Sequence, residues 1–415
     1  MNPPRVLMVA YHFPPLAGSS GIQRTLRFVQ HLPALGWEPI VLSADVRAYE
    51  RTSPDMDADI PAGTVVRRAF ALDTARHLCI RGRYIGAMAR PDRWVTWRFD
   101  GVRQGLRLVR TYQPDVLWST YPIATAHLIG HALHQRTGLP WIADFRDPMA
   151  QDGYPTDPVT HRQFLRIERD AVESARFSVF TTPGAAAEYR QRYPHCADRI
   201  VVIENGYDEP SFAQAEADEA DRTPLQPGCF TLLHSGIVYP SERDPTQLMA
   251  ALAILAQQGA IRPGSLCVRF RAAVQDDLLM QLAAERGVSD YIEIAPPLPY
   301  RVALQEMLRA DALLAMQASN CNAQIPAKVY EYLRAGRPIV CLSDPAGDTA
   351  GVLREAGVEL HARLDDAQDI ANALKRMLDT DRPLALPRVE AVRRASRAGR
   401  AQAMAELLAR ARRPD

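Results

Sequence analysis

The chain has 415 residues, 47% of them apolar and 23% charged, with 49 basic side chains against 48 acidic ones. That length exceeds one ordinary core and suits two domains of about 200 residues each. The apolar fraction excludes a largely disordered protein, 32 prolines exclude a long coiled coil, and a formal net charge of +1 excludes a nucleic-acid partner held by bulk positive charge. No apolar run approaches the roughly 18 residues that cross a bilayer. The opening MNPPRVLMVAYHFPP has a short apolar run and no small-residue cleavage site, so it does not read as a signal peptide. Cys79, Cys196, Cys229, Cys267, Cys321 and Cys341 form no C-x-x-C pair and read as reduced thiols, giving a cytoplasmic expectation. Only Lys328 and Lys375 are lysines; every other basic residue is arginine.

In chain order, RVLMVA (5–10) reads as a buried strand, followed by a Pro/Gly/Ser loop and a helix. In that helix Ile22, Leu26, Val29 and Leu32 recur at helical spacing, and Gly36 supplies a stop. EPIVLS, DVLWST, PWIADF, FSVFTT and RIVVIEN are further strands, mostly separated by helix-length stretches. After Asn205-Gly206 comes an acidic, proline-rich stretch without periodicity, and 209–228 reads as a linker. The alternation restarts with CFTLLHSG, SLCVRFRAA, DYIEIAP, DALLAMQA, RPIVCLS and GVELHA. This pattern predicts an α/β protein of two doubly wound, Rossmann-like domains facing across a cleft, with ligand-binding loops at the strand carboxyl ends. The expected domains are 1–208, 229–386 and a C-terminal helix over 387–415, which either crosses back to the first domain or closes the second.

Several segments carry chemistry-bearing residues. The loop HFPPLAGSSGIQR places Gly18, Ser19, Ser20 and Gly21 at a helix N-terminus, where backbone N–H groups favour an anion; a plain turn wants the same residues. It is not a G-x-G-x-x-G fingerprint. WIADFRDPM ends a strand with Asp144, Arg146 and Asp147, either a local ion-pair knot or groups facing the cleft, with Asp144 the candidate for function. LLHSGIVYPSERDP puts Gly236 after a strand and Arg243 at the start of the next helix, a placement suited to phosphate. In IPAKVYEYLRAGRPIVCLS, Lys328 and Glu331 share a face on the first turns of a helix beginning near Pro326. A cation at a helix N-terminus is unfavourable unless an anion is expected there.

No metal-ligand cluster is visible. His127, His131 and His134 share a helical face and read as a partly buried stripe, and no nucleophile elbow or Walker loop is present. The stretch RHLCIRGRYIGAMAR (76–90) interleaves Arg76, Arg81, Arg83 and Arg90 with apolar residues, either a basic amphipathic patch for anionic lipid or an ordinary surface helix.

Taken jointly, FPPLAGSSGIQR, LPALGWEPIVLS, DVLWSTYP, WIADFRDP, VVIENGYD, LHSGIVYPSERDP and IPAKVYEYLRAGRPIV resemble a retaining GT-B glycosyltransferase of the GT4 (group 1) kind, over nearly the whole chain. The resemblance is to a branch that makes bacterial surface polysaccharides and lipid-linked glycans. It implies GT-B architecture, a nucleotide-sugar donor, a glycan or lipid-linked acceptor, no metal or other cofactor, no nucleic acid, and work in the cytoplasm, with the inner membrane face as the place of any lipid contact. It also implies that Gly18–Gly21 face the donor diphosphate and that Gly236 opens the donor site. Arg243, seven residues on, then binds the diphosphate. Ala327 and Lys328 meet the phosphates, and Glu331 holds the ribose. The first acid of the E-x7-E motif is replaced by Ala323, and the cation just after the strand-end glycine by Ile237; Lys328 stands as the replacement charge. Asp144, Arg243 and Lys328 are the expected catalytic groups. The alternatives are a catalytically inactive glycosyltransferase-like scaffold, motivated by Ala323 and Ile237, and a nucleotide-sugar epimerase on the same architecture.

Overall fold

The computed structural model describes residues 3–19, 21–81, 83–217 and 223–413. Ser20, one of the expected loop residues, lies outside them. The chain divides into two compact units, Met1–Glu204 with Arg397–Asp415, and Asn205–Ser396.

Unit 1 is built on a parallel sheet of β1 (Arg5–Val9), β2 (Glu38–Ala44), β3 (Val65–Ala69), β4 (Val116–Thr120), β5 (Trp141–Arg146), β6 (Phe177–Phe180) and β7 (Ile200–Val202). The spatial order is β3-β2-β1-β4-β5-β6-β7, so the winding reverses between β1 and β4. Period-two alternation sends Leu7 and Val9 into one core and Val6 and Met8 into another. Helices cover both faces, which is why β1 reads as a continuous apolar run. The sequence reading passed over β3: as an edge strand, its VVRRA has only Ala69 fully buried, so its pattern carries little apolar signal.

Unit 2 repeats the plan with β8 (Phe230–Ser235), β9 (Leu266–Arg271), β10 (Ile292–Ala295), β11 (Ala312–Gln317), β12 (Ile339–Ser343) and β13 (Leu360–Ala362). Their order is β10-β9-β8-β11-β12-β13, again parallel, with the reversal between β8 and β11. Crevices at such reversals, at the strand carboxyl ends, are where doubly wound sheets take ligands.

Three expectations change. The stretch read as linker contains a helix, Glu209–Ala217, with Phe212 and Ala215 buried in unit 2. Asp208 caps it through Ser211, and Glu209 and Glu216 both pair with Arg334, whose guanidinium stacks over Phe212. Its acidity is therefore matched by a partner more than a hundred residues away, and nine residues are too few for a periodic signal. The C-terminal segment forms two helices, Val389–Arg394 and Arg397–Arg412, parted where Ser396 bridges Tyr207. The second helix belongs to unit 1: Met404, Leu407 and Leu408 join the core of Val6, Met8, Phe28 and Trp118. Each such side chain, once buried, contributes about 1.5–3 kcal/mol. Finally, the described residues of 76–90 form the end of the short helix Thr74–His77 and the short helix Gly86–Ala89 in place of an ordinary surface helix, and Ile80 and Ile85 are 80% and 69% exposed.

Candidate functional site

In unit 2, the carboxyl end of β8 is tied down where Ser235 N–H donates to Tyr332 Oη at 2.9 Å. Gly236 follows with φ +118°, a backbone that L side chains rarely adopt. A Cβ on it would lie 2.7 Å from Lys328 Nζ, so the backbone conformation favours glycine and any larger residue would displace the Lys328 side chain. Lys328 opens the helix Lys328–Ala335, with Ala327 as its cap residue. Neither residue offers a side-chain cap to the first N–H groups, which have no partner within a helix.

The Lys328 ammonium lies 3.3 Å from His234 Nε2, and His234 Nδ1 lies 2.9 Å from the Leu314 carbonyl. A carbonyl only accepts, so Nδ1 carries the imidazole proton and Nε2 accepts from Lys328. Burial, and then the Lys328 charge, hold His234 well below the ordinary histidine range, which keeps it neutral. Burial also pushes Lys328 down to about 7; Arg243 adds to the shift and Glu331 opposes it.

Arg243 lies in the loop three residues before the helix Thr246–Gln257, a little ahead of the expected helix start. Its Nη1 donates to the Ile237 carbonyl at 3.1 Å, its guanidinium lies 5.2 Å from the centre of the Tyr239 ring, and its Nε is enclosed without a partner. Position 237 thus orients the neighbouring cation through its carbonyl. Glu331 accepts from Tyr300 Oη at 2.8 Å. Gly236, Arg243, Lys328 and Glu331 therefore lie at one corner of unit 2, where the Arg243 charge raises the cost of charging Lys328. Such a pair suits an anion that neutralises both.

In unit 1, Gly18 is left-handed with φ +79° and has open space around it. Ser19 Oγ accepts from Gly21 N–H at 3.2 Å and lies 3.3 Å from His12 Nδ1. A Cβ on Gly21 would meet His12 Nδ1 at 2.3 Å and Arg146 Nη1 at 2.8 Å. Burial, then Arg146, push His12 down to about 4, so the ring is neutral at pH 7.

Asp144, one of the groups expected to be catalytic, is held in a buried ion pair. It is completely buried and accepts two hydrogen bonds from Arg24, at 2.9 and 2.8 Å, and one from Thr120 at 2.9 Å. Arg24 also donates to the carbonyls of Ile203 and Glu204. Asp144 is thus a positioning residue that locks the helix Gly21–His31 to β5 and to the end of β7. The local ion-pair knot expected with Arg146 is not what forms: the partner of Asp144 is the distant Arg24. The histidine stripe packs on Trp141, with His131 stacked on it and His134 tilted against it, while His127 meets Ser119 at 2.8 Å. Among the described residues, no group of three or more His, Cys, Asp or Glu side chains is placed to hold a metal ion.

Sequence reasoning missed His234, His12, Tyr300 and Arg24. His234 sits inside a strand pattern as if it were an ordinary core residue, and the partners of the others are far away in sequence. The one legible hint was the spacing of His234 two residues before Gly236.

Residues 20–206 match the model of the glycosyl transferase 4-like domain. A D-inositol 3-phosphate glycosyltransferase of Thermobispora bispora is 26% identical over 311 residues, covering 71% of this chain and 70% of that protein. A glycosyltransferase from Rickettsia africae superposes with a TM-score of 0.63 at 13% identity, over 100% of both chains. Anabaena HepE, solved in complex with UDP, superposes with a TM-score of 0.59 at 13% identity, over 98% of this chain and 97% of its own. The structural likenesses place the paired parallel sheets in the GT-B class. The chain thus has a GT-B fold, its residues 20–206 are similar to a glycosyl transferase 4-like domain, and it resembles named glycosyltransferases.

Proposed function

We propose that the chain transfers a sugar from a nucleoside-diphosphate donor to a glycan or lipid-linked acceptor, with retention of anomeric configuration, in the assembly of a bacterial surface polysaccharide. The observation that carries this reading is the corner of Gly236, Arg243 and Lys328: two mutually repelling cations, with the Lys328 ammonium seated in the space that the missing Cβ of Gly236 leaves. As the bond from the anomeric carbon to the diphosphate oxygen breaks, negative charge grows on the leaving group. Arg243, Lys328 and the N–H groups at Ala327–Lys328 are fixed positive groups able to stabilise it, so no metal is required for that role. The acceptor oxygen attacks from the leaving-group face and its proton passes to a phosphate oxygen, which needs no enzyme nucleophile. Glu331, beside Tyr300, would hold the ribose hydroxyls, and Gly18–Gly21 would face the donor phosphates. The crystallisation of HepE with UDP supports a nucleotide of this class.

The same reading includes peripheral contact with anionic lipid through 76–90. Exposed Ile80, Tyr84, Ile85 and Met88 stand beside Arg81 and Arg83, a composition that suits a membrane interface. Among the described residues no helix is long and apolar enough to cross a membrane.

The test is a thermal-shift panel of UDP, GDP, ADP, CMP and their sugar conjugates, each with and without a divalent metal. A ligand at 100 times its Kd adds about 2.7 kcal/mol of apparent stability. A metal-independent shift with one nucleotide, followed by turnover of its sugar conjugate, is expected. Binding without turnover would favour the scaffold alternative, and no shift with any nucleotide overturns the donor assignment.

A further inference from the structure

At the amino-terminal edge of its sheet, unit 1 has a cavity of about 420 Å³. Its wall includes His134, Ser174, Arg176, Arg199, Arg412 and Arg413, and none of the described residues lining it is acidic. Trp141, the first residue of β5, lines the same space. The cavity therefore lies about 17 Å, the length of β5, from the strand carboxyl ends. It belongs to neither loop system already considered for the donor.

Local structure brings each arginine there for its own reason. The Arg176 backbone N–H donates to the Trp141 carbonyl at 2.8 Å, directly before β6 begins. Arg199 stands directly before β7, and its Nη1 donates to the Ala175 carbonyl at 3.0 Å, beyond the end of the helix Pro158–Ser174. Arg412 closes the helix Arg397–Arg412 and Arg413 follows it, where the helix dipole favours cations.

These reasons account for single arginines and leave unexplained why four of them surround one space. Asp115 offsets part of the charge from outside the lining, accepting from Arg412 Nε and from Arg5 N–H, each at 2.8 Å. Glu173, beside Ser174, lies 3.7 Å from His195. His134 donates through Nδ1 to the Leu139 carbonyl at 2.8 Å, which fixes its ring at the wall. A recess lined by one sign of charge concentrates the opposite sign. Guanidinium forks match phosphate oxygens bidentately, and several around one space suit several such oxygens better than a lone carboxylate. The volume is that of a small-molecule site, and a chain of net charge +1 has no broad field for an extended polyanion.

We infer that this cavity is a binding site for a small anion carrying a diphosphate, held by Arg176, Arg199, Arg412 and Arg413. Such a ligand ties the end of the C-terminal helix to the segments that lead into β6 and β7. The site stands independently of the donor reading.

The test uses the native full chain and inorganic pyrophosphate, without divalent metal, in chloride at matched ionic strength. Arginine modification by phenylglyoxal, mapped by mass spectrometry, reports where the anion sits. Pyrophosphate should protect Arg176 and Arg413 about threefold or more, saturably, and slow hydrogen exchange in the last turn of the helix Arg397–Arg412. Arg176→Gln/Arg413→Gln should raise the half-saturating concentration for the exchange effect about tenfold, with the melting midpoint in chloride unchanged. If that variant melts lower, Arg413→Gln alone must still weaken protection of Arg176 severalfold. Protection confined to Arg243, or equal protection by sulfate, overturns the proposal. So does protection by phosphatidylglycerol vesicles where pyrophosphate gives none, which would make this face a membrane surface. Failure of UDP to bind would sink the donor reading and leave the pyrophosphate result standing.

Discussion

Lys328 donates to His234 Nε2 across 3.3 Å, while His234 Nδ1 is committed to the Leu314 carbonyl, so a neutral ring holds the ammonium beside Gly236. The pair has a consequence for pH. Lys328 is held down to about 7 against its ordinary value of 10.5. Between those values the unfolded chain keeps a proton that the folded chain has released. Stability therefore rises with pH across that window and is lowest below it, where the buried ammonium is charged. Donor binding should run the other way, since a diphosphate favours the ammonium; UDP affinity should fall as pH climbs above about 7. Calorimetry at several pH values checks this, and Lys328→Met should flatten the slope while weakening UDP by about 10–100-fold, the worth of a charge-assisted hydrogen bond.

Gly236→Ala places a Cβ 2.7 Å from Lys328 Nζ on a backbone at φ +118°. The strain should cost about 1–3 kcal/mol of stability, read from the urea midpoint. Because the Lys328 side chain must also shift, nucleotide affinity should drop with it. Full retention of affinity would show that Lys328 does not contact the ligand.

Asp144→Asn leaves Arg24 buried with a neutral partner in place of its carboxylate, and breaking a buried pair typically costs about 3–5 kcal/mol. Arg24→Gln should cost a similar amount, and the double variant less than the sum, as measured in a denaturant double-mutant cycle. A sharp loss of turnover at unchanged stability would instead place Asp144 against the substrate.

The C-terminal helix Arg397–Arg412 should behave as part of unit 1. Leu408→Ala removes a buried side chain from the shared core and should destabilise by about 2–5 kcal/mol. Hydrogen exchange should then rise in β1 and the helix Gly21–His31, with unit 2 unaffected.

Ile80→Asp/Ile85→Asp alters two side chains that are 80% and 69% exposed, so folding should be unchanged. Co-sedimentation with phosphatidylglycerol vesicles should fall severalfold if 76–90 rests on lipid. Equal sedimentation of native and doubly substituted chains would remove the patch from consideration.

Twelve of the thirteen strands among the described residues were legible: the inner strands because burial on both faces keeps them largely apolar, and the edge strands β7, β10 and β13 because they keep short apolar or β-branched runs. β3 escaped because an edge strand can carry arginines. Gly236 and Lys328 could be picked out because a left-handed strand-end glycine and a lone lysine at a helix start are costly choices unless a ligand justifies them. His234 and Tyr300 were not, since a histidine in a buried strand and a tyrosine at a helix start are ordinary until their partners are known.

By itself, then, the sequence determined the two parallel-sheet units, the switch-point loops and the cations near them, all of which follow from local periodicity and backbone demands. The tertiary structure alone decided pairings over long separations. Arg24 took Asp144 across 120 positions, Arg334 took the acidic helix Glu209–Ala217, and the last helix returned to the core of β1. The reason is physical: a charge or an apolar face declares that it needs a partner, but only packing settles which one reaches it.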